Sequence, residues 1–184
     1  MRKVIVSTYM TLDGVVEAPE KWVFQFWNDD LAKYAHDQLF ASDAVLMGRG
    51  VYEEFAASWP SRSTEFADRM NSLPKYVVST TMEEAAWINS TIINENVAEE
   101  VARLKQQAGQ AILMYGSADL MHTLMQRDLI DEYRLWVQPV VLGSGKRLFE
   151  EEGETKALRL VDTTAFSSGV VILSYRPEGE EAGD

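Results

Sequence analysis

The chain has 184 residues, 46% of them hydrophobic and 25% charged, and no cysteine, so one packed core is expected while disulfides, thiolate catalysis and zinc–cysteine sites are excluded. A net charge of −12 opposes a phosphate backbone, so no nucleic-acid partner is expected. No window reaches the roughly 20 apolar residues of a membrane span, and the alternating segment after Met1-Arg2-Lys3 is too brief for a signal sequence, so no membrane partner and a cytoplasmic location are expected.

Lys3 to Met10 alternates apolar and polar residues and is rich in β-branched types, which predicts an opening strand. Thr11-Leu12-Asp13-Gly14 is a turn signal, and the aromatics that follow without a clean period, Trp22, Phe24, Phe26 and Trp27, predict a loop. Asn28 or Asp29 caps a helix from about Asp30 to Phe40. Ala44 to Met47 is a short buried strand closed by Gly48-Arg49-Gly50, and a second helix carries Val51, Tyr52, Phe55 and Ala56 until Trp59-Pro60 stops it.

Lys75 to Ser79 and Thr91 to Ile93 predict further strands, with an amphipathic helix from Val97 to Gln107 and a fifth strand over Ala111 to Tyr115. Gly116-Ser117 opens a helix through Leu120, Met121, Leu124 and Met125, and Tyr133 to Val141 returns as a strand. Ala157 to Thr164 and Val170 to Tyr175, joined through Ser167-Ser168-Gly169, form a hairpin. The order predicts an α/β fold with a mostly parallel sheet, helices on both faces and an antiparallel C-terminal edge. Residues 1–176 are expected as one domain, and 177–184 as an acidic, disordered tail.

In open parallel sheets ligands gather beyond the carboxyl ends of the strands, where helix N-termini present unpaired N–H groups. Gly48-Arg49-Gly50 and Gly116-Ser117-Ala118 both fall at such ends and both open helices. Each suits a phosphate held on backbone N–H groups, or simply the geometry of a strand-to-helix turn. Arg49 adds a positive charge, and Ser79-Thr80-Thr81 ends another strand with hydroxyls that suit phosphate oxygens or a plain turn. Lys146 and Arg147 are either a further offset for cofactor charge or solvated residues beside a turn.

Four segments carry a specific resemblance: VSTYMTLDG at 6–14, VLMGRGVYEEF at 45–55, YVVSTT at 76–81, and LMYGSADLMHTLMQRDLIDEYRLWVQPVVLGSGKRLF at 113–149. Over almost its whole length the chain resembles the dihydrofolate-reductase-like family that includes the reductase half of the riboflavin deaminase-reductase. The resemblance implies a three-layer α/β fold and an NADPH site. It sets Gly48 and Arg49 against the pyrophosphate, Ser79, Thr80 and Thr81 near the adenosine phosphate, and Gly116, Ser117, Ala118 and Asp119 along the dinucleotide. Thr8, Leu12, Asp13, Gly14 and Val15 would flank the nicotinamide. The chain departs from the family where dihydrofolate reductases have Gly-Gly, here Gly116-Ser117. It also departs where riboflavin reductases carry a serine- and arginine-rich stretch, here replaced by aromatics.

Trp22, Phe26 and Trp27 therefore point to a flat, weakly anionic substrate stacked on rings, or to a loop folded on its own core. For proton delivery Asp30 resembles the acid of dihydrofolate reductase, with a helix-dipole role as its alternative, and Asp13 is either a second acid or a turn residue. His36 and His122 have no metal-ligand spacing, so no metal site is expected. The resulting expectation is an NADPH-dependent reductase of a small planar or conjugated substrate. A riboflavin-type 5-amino-6-(5-phosphoribosylamino)uracil reductase, a pterin or folate reductase, and a non-catalytic dinucleotide-binding module are the alternatives. A homodimer is also expected, with Tyr133, Leu135 and Trp136 serving either as its interface or as core.

Overall fold

A computed structural model of the chain describes residues 1–149 and 155–179. Eight strands form one sheet in the order β4-β3-β2-β5-β1-β6-β8-β7. They are β1 (Val4–Thr11), β2 (Ser42–Gly48), β3 (Lys75–Val78), β4 (Ser90–Ile93), β5 (Ala111–Tyr115), β6 (Glu132–Gln138), β7 (Leu158–Ala165) and β8 (Val171–Pro177). The first six are mutually parallel, and β8 runs antiparallel to both β6 and β7. The mixed, mostly parallel α/β fold expected from the sequence is the one found.

Five helices cover the two faces: α1 (Asp29–Phe40), α2 (Arg49–Ser58), α3 (Glu65–Ser72), α4 (Val97–Gln106) and α5 (Ala118–Met125). Period-2 alternation along each strand divides the core between them. Val4, Val6, Ala44, Leu46, Ile112 and Met114 pack with Val101 and Leu104 of α4 and Leu120 and Leu124 of α5. Ile5, Val45, Met47 and Leu113 face the other way, toward Leu39, Tyr52 and Met70 of α1, α2 and α3.

Three expectations need correction. A helix at Glu65–Ser72, capped by the Thr64 side chain accepting from the Ala67 N–H, joins the elements expected from the sequence. The sixth strand ends at Gln138 rather than Val141, because Pro139 has no N–H to continue a ladder. Of the two readings of Tyr133, Leu135 and Trp136, their burial within the single chain favours core. Pro177 closes β8 opposite Leu158 and so belongs to the sheet, while residues 180–184 of the expected tail lie outside the described ones.

Candidate active site

β5 is inserted between β2 and β1, so the chain reverses its direction of travel across the sheet there. Two strand-to-helix turns meet as a result. A Cβ on Gly48 would lie 2.9 Å from the Ser117 hydroxyl oxygen, and one on Gly116, whose φ is +47°, would lie 3.0 Å from Val51 Cγ2. Gly50, in the first turn of α2, has open space where its Cβ would be. The N-termini of α2 and α5 thus stand side by side beyond the carboxyl ends of β2 and β5, with Ser117 capping α5 through the Leu120 N–H. Two helix N-termini meet there, which is a setting for anionic oxygens.

Charged groups ring this point but are already engaged. Arg49 donates from Nε to Glu53 at 2.7 Å and from Nη1 to Thr81 Oγ1 at 2.8 Å. Lys146 Nζ lies 2.5 Å from Asp119 Oδ1, in the first turn of α5. Ser79 is buried, and its oxygen accepts from the N–H groups of Thr81 and Met82, so it shapes the loop after β3. Thr80 and Thr81 are exposed beside it, and Ala118 is buried at the start of α5.

The Leu12–Val15 loop is held by the segment 140–148. Leu12 N–H donates to Val140 O, Val16 N–H to Lys146 O, and Leu148 N–H to Gly14 O. Arg147 Nε donates to Asp13 O. Asp13 is the clasp: its carboxylate accepts from Thr11 Oγ1 at 2.6 Å, Gly143 N at 2.8 Å and Leu142 N at 3.2 Å. Those bonds, the one from Thr11 foremost, lower its pKa to about 2. The geometry therefore favours the turn-shaping alternative for Asp13, since a carboxylate ionised at neutral pH holds no proton to give. Gly14, at φ +83°, suits this tight loop, and Val15 is fully buried under it. Thr8 is buried on β1 between Val6 and Met10, facing the α4–α5 layer.

Asp30 is elsewhere. It lies exposed in the first turn of α1 beside a shallow groove shared with Tyr34, Phe166 and Ser167 of the β7–β8 end, so the structure does not bring it to the glycine turns. The aromatic expectation divides. Trp22 is buried and donates Nε1–H to Glu17 O, so its ring is enclosed by its own loop. Phe26 is half-buried against the cluster of Leu31 and Trp136. Trp27 remains partly exposed, stacked parallel on Trp136 and edge-on to Tyr9.

Sequence reasoning missed Tyr115. This last residue of β5 has its ring 5.4 Å from Phe55 of α2 and its hydroxyl buried with no hydrogen-bond partner among the described residues. Its pKa is raised, by burial and then by the nearby Tyr9. Its place just before Gly116 was readable, but the orphaned hydroxyl was not. A buried polar group left without a partner is costly and is a reason to look for a ligand at that spot.

The comparisons agree with this architecture. The family model described as RibD C-terminal domain matches residues 2–172. The uncharacterized protein YyaP of Bacillus subtilis is 35% identical over 184 residues, covering 97% of this chain and 96% of its own. A putative riboflavin biosynthesis protein from Shewanella sp. PV-4 superposes with a TM-score of 0.78 at 19% identity, covering 96% of this chain and 99% of the other. The diaminohydroxyphosphoribosylaminopyrimidine deaminase/5-amino-6-(5-phosphoribosylamino)uracil reductase of Thermotoga maritima gives 0.66 at 14% identity, covering 96% of this chain and 56% of that one. At these identities the two solved structures speak for the fold alone. The chain belongs to the RibD C-terminal (reductase) domain family, within the dihydrofolate-reductase-like superfamily.

Proposed function

We propose that this protein is an NADPH-dependent reductase acting on a small, flat, heterocyclic or conjugated acceptor. The observation that carries the reading is the abutment of the Gly48 and Gly116 turns, which sets two helix N-termini and the open backbone of Gly50 around one point. The residues present fit a dinucleotide: backbone N–H groups for its pyrophosphate, Arg49 with Thr80 and Thr81 for the adenosine phosphate, and the clasped Leu12–Val15 loop for the nicotinamide. When bound, that cofactor supplies the hydride. The protein's own part is to bind, orient and dry the site.

The acceptor lies against Tyr115, Trp27 and Tyr9, where aromatic faces provide burial and the Tyr115 hydroxyl finds the partner it lacks. Asp13 is ionised and Asp30 faces the hairpin, so neither delivers the accompanying proton. Membership of the reductase-domain family supports the reaction class, and the aromatic walls support an acceptor without a phosphoribosyl group.

The test is a titration with NADPH and, separately, NADH, followed by quenching of tryptophan fluorescence, then a screen of flat acceptors. Saturable binding that favours NADPH and weakens in Arg49→Ala is expected, with turnover on at least one acceptor. Binding without turnover on any acceptor would reduce the protein to a dinucleotide-binding module, and no binding of either cofactor would end the reading.

A further inference from the structure

At the opposite end of the sheet three arginines converge on one face. Arg134 of β6, Arg176 of β8 and Arg159 of β7 line a groove of about 490 Å³ together with Tyr34, Glu132 and Asp162. Arg159 and Arg176 are direct cross-strand partners, and side chains so paired share a face. Like charges placed directly opposite destabilise a sheet unless something compensates them.

Glu132 compensates two of the three. Its Oε1 accepts from Arg134 Nε at 2.8 Å, and its Oε2 accepts from Arg176 Nε and Nη2 at 3.2 and 3.0 Å. Burial opposes the charge of Glu132, but these guanidiniums outweigh it and hold the carboxyl below its usual range. Arg159 is exposed and makes no side-chain ion pair among the described residues. The groove thus carries a net positive charge on a molecule of net charge −12. Satisfying Glu132 requires only two arginines. The third, set against a like charge on an edge strand, has no carboxylate within ion-pair distance among the described residues.

We propose that this groove is a binding site for a small, multiply charged anion of the phosphate-ester type. Arg134 and Arg176 address Glu132 with only part of their donor sets, which leaves terminal N–H groups of both, and the whole fork of Arg159, for phosphate oxygens. The site is distinct from the glycine turns. Glu132 begins β6, whereas those turns follow the carboxyl ends of β2 and β5.

The experiment is calorimetric titration of the whole chain with inorganic pyrophosphate and with glycerol phosphate at fixed ionic strength, alongside thermal unfolding with and without each anion. A saturable binding component that persists in Arg49→Ala is expected, weakened roughly tenfold in Arg159→Ala and retained in part by Arg159→Lys, which keeps the charge but not the fork. Binding of pyrophosphate alone would mark a free inorganic anion as the ligand, and binding of both would mark the ester class.

Three results would overturn the proposal. One is the absence of saturable binding by either probe. Another is binding that survives Arg159→Ala but is lost in Arg49→Ala, which would send the anion to the glycine turns. The third is self-association that Arg159→Ala abolishes, which would reassign the groove to a second copy.

Discussion

Asp13 and Lys75 show how neighbours decide what a titratable side chain does. The Asp13 carboxylate ties Thr11 to the backbone of Leu142 and Gly143, joining segments about 130 residues apart. Because it stays ionised down to about pH 2, cofactor affinity should show no acidic limb from this residue between pH 8 and roughly pH 5. Asp13→Asn, which keeps the shape and loses the charge, should weaken NADPH roughly five-fold by loosening the loop. A fluorescence titration at several pH values checks both. A neutral-range limb that vanishes in Asp13→Asn would return the residue to proton transfer. Lys75 is fully buried, with Nζ donating to the carbonyls of Asn71, Leu73 and Ile88 and lying 4.4 Å from the Trp87 ring centroid. Burial lowers its pKa to about 8, so between pH 8 and about 10.5 the unfolded chain binds more protons than the folded one. Stability contributed at this site therefore rises with pH across that window. Urea unfolding of the native chain and of Lys75→Met should show the gap between them widening from pH 8 to pH 10, and a gap that narrows would mean the buried amine stays charged.

At the scale of elements, helix α1 and the α4–β6 corner are held by devices of different strength. Asn28 caps α1 by accepting the Leu31 N–H at 3.0 Å, and Asn28→Ala should cost about 1 kcal/mol. The corner depends on a buried ion pair, Lys105 to Asp131 at 2.8 Å, with Asp131 also accepting the Val4 N–H at 2.6 Å and Lys105 donating to Leu129 O. Removing one partner strands the other, so Asp131→Ala should cost about 3–5 kcal/mol, several times the loss of the cap. Urea midpoints of the two variants test the ranking. The cap was legible in the sequence, because Asn28 stands immediately before an apolar period that runs through Leu31, Ala35 and Leu39. The ion pair was not, since nothing in the spacing of Lys105 and Asp131 says that α4 ends beside the start of β6. Legibility divides in the same way at the active site. Gly48 and Gly116 were singled out by local pattern, whereas their abutment needs β5 to lie between β2 and β1. The enclosure of Trp22 was invisible because residue type does not say which side of a loop faces inward. Helix α3 did leave a signal, Thr64 before Phe66, Ala67 and Met70 with Pro74 beyond, but eight residues carry little periodicity.

For the whole molecule the governing quantity is charge. A net −12 spread over one chain repels itself, and salt screens that repulsion over about 10 Å at 0.1 M. Local cationic points work against the same field: Arg49 beside the glycine turns, shared with Glu53, and Arg159 in the groove at the far end, with no such partner among the described residues. The two kinds of electrostatics predict opposite responses to one variable. Raising sodium chloride from about 0.01 to 0.15 M should raise the unfolding temperature, because self-repulsion in the compact state is relieved. Over the same range pyrophosphate binding should weaken, because the attraction of the arginine groove is screened as well, and NADPH binding should change least, because it rests on backbone N–H groups and buried rings more than on free charge. Thermal unfolding and the two titrations across one salt series are sufficient to decide. An unfolding temperature that falls with salt would show that the surface ion pairs, Lys33–Asp37 and Arg103–Glu100 among them, outweigh the net repulsion. NADPH binding that drops as steeply as pyrophosphate binding would place the cofactor's affinity in Arg49 and Lys146, and would make the meeting of the two glycine turns secondary.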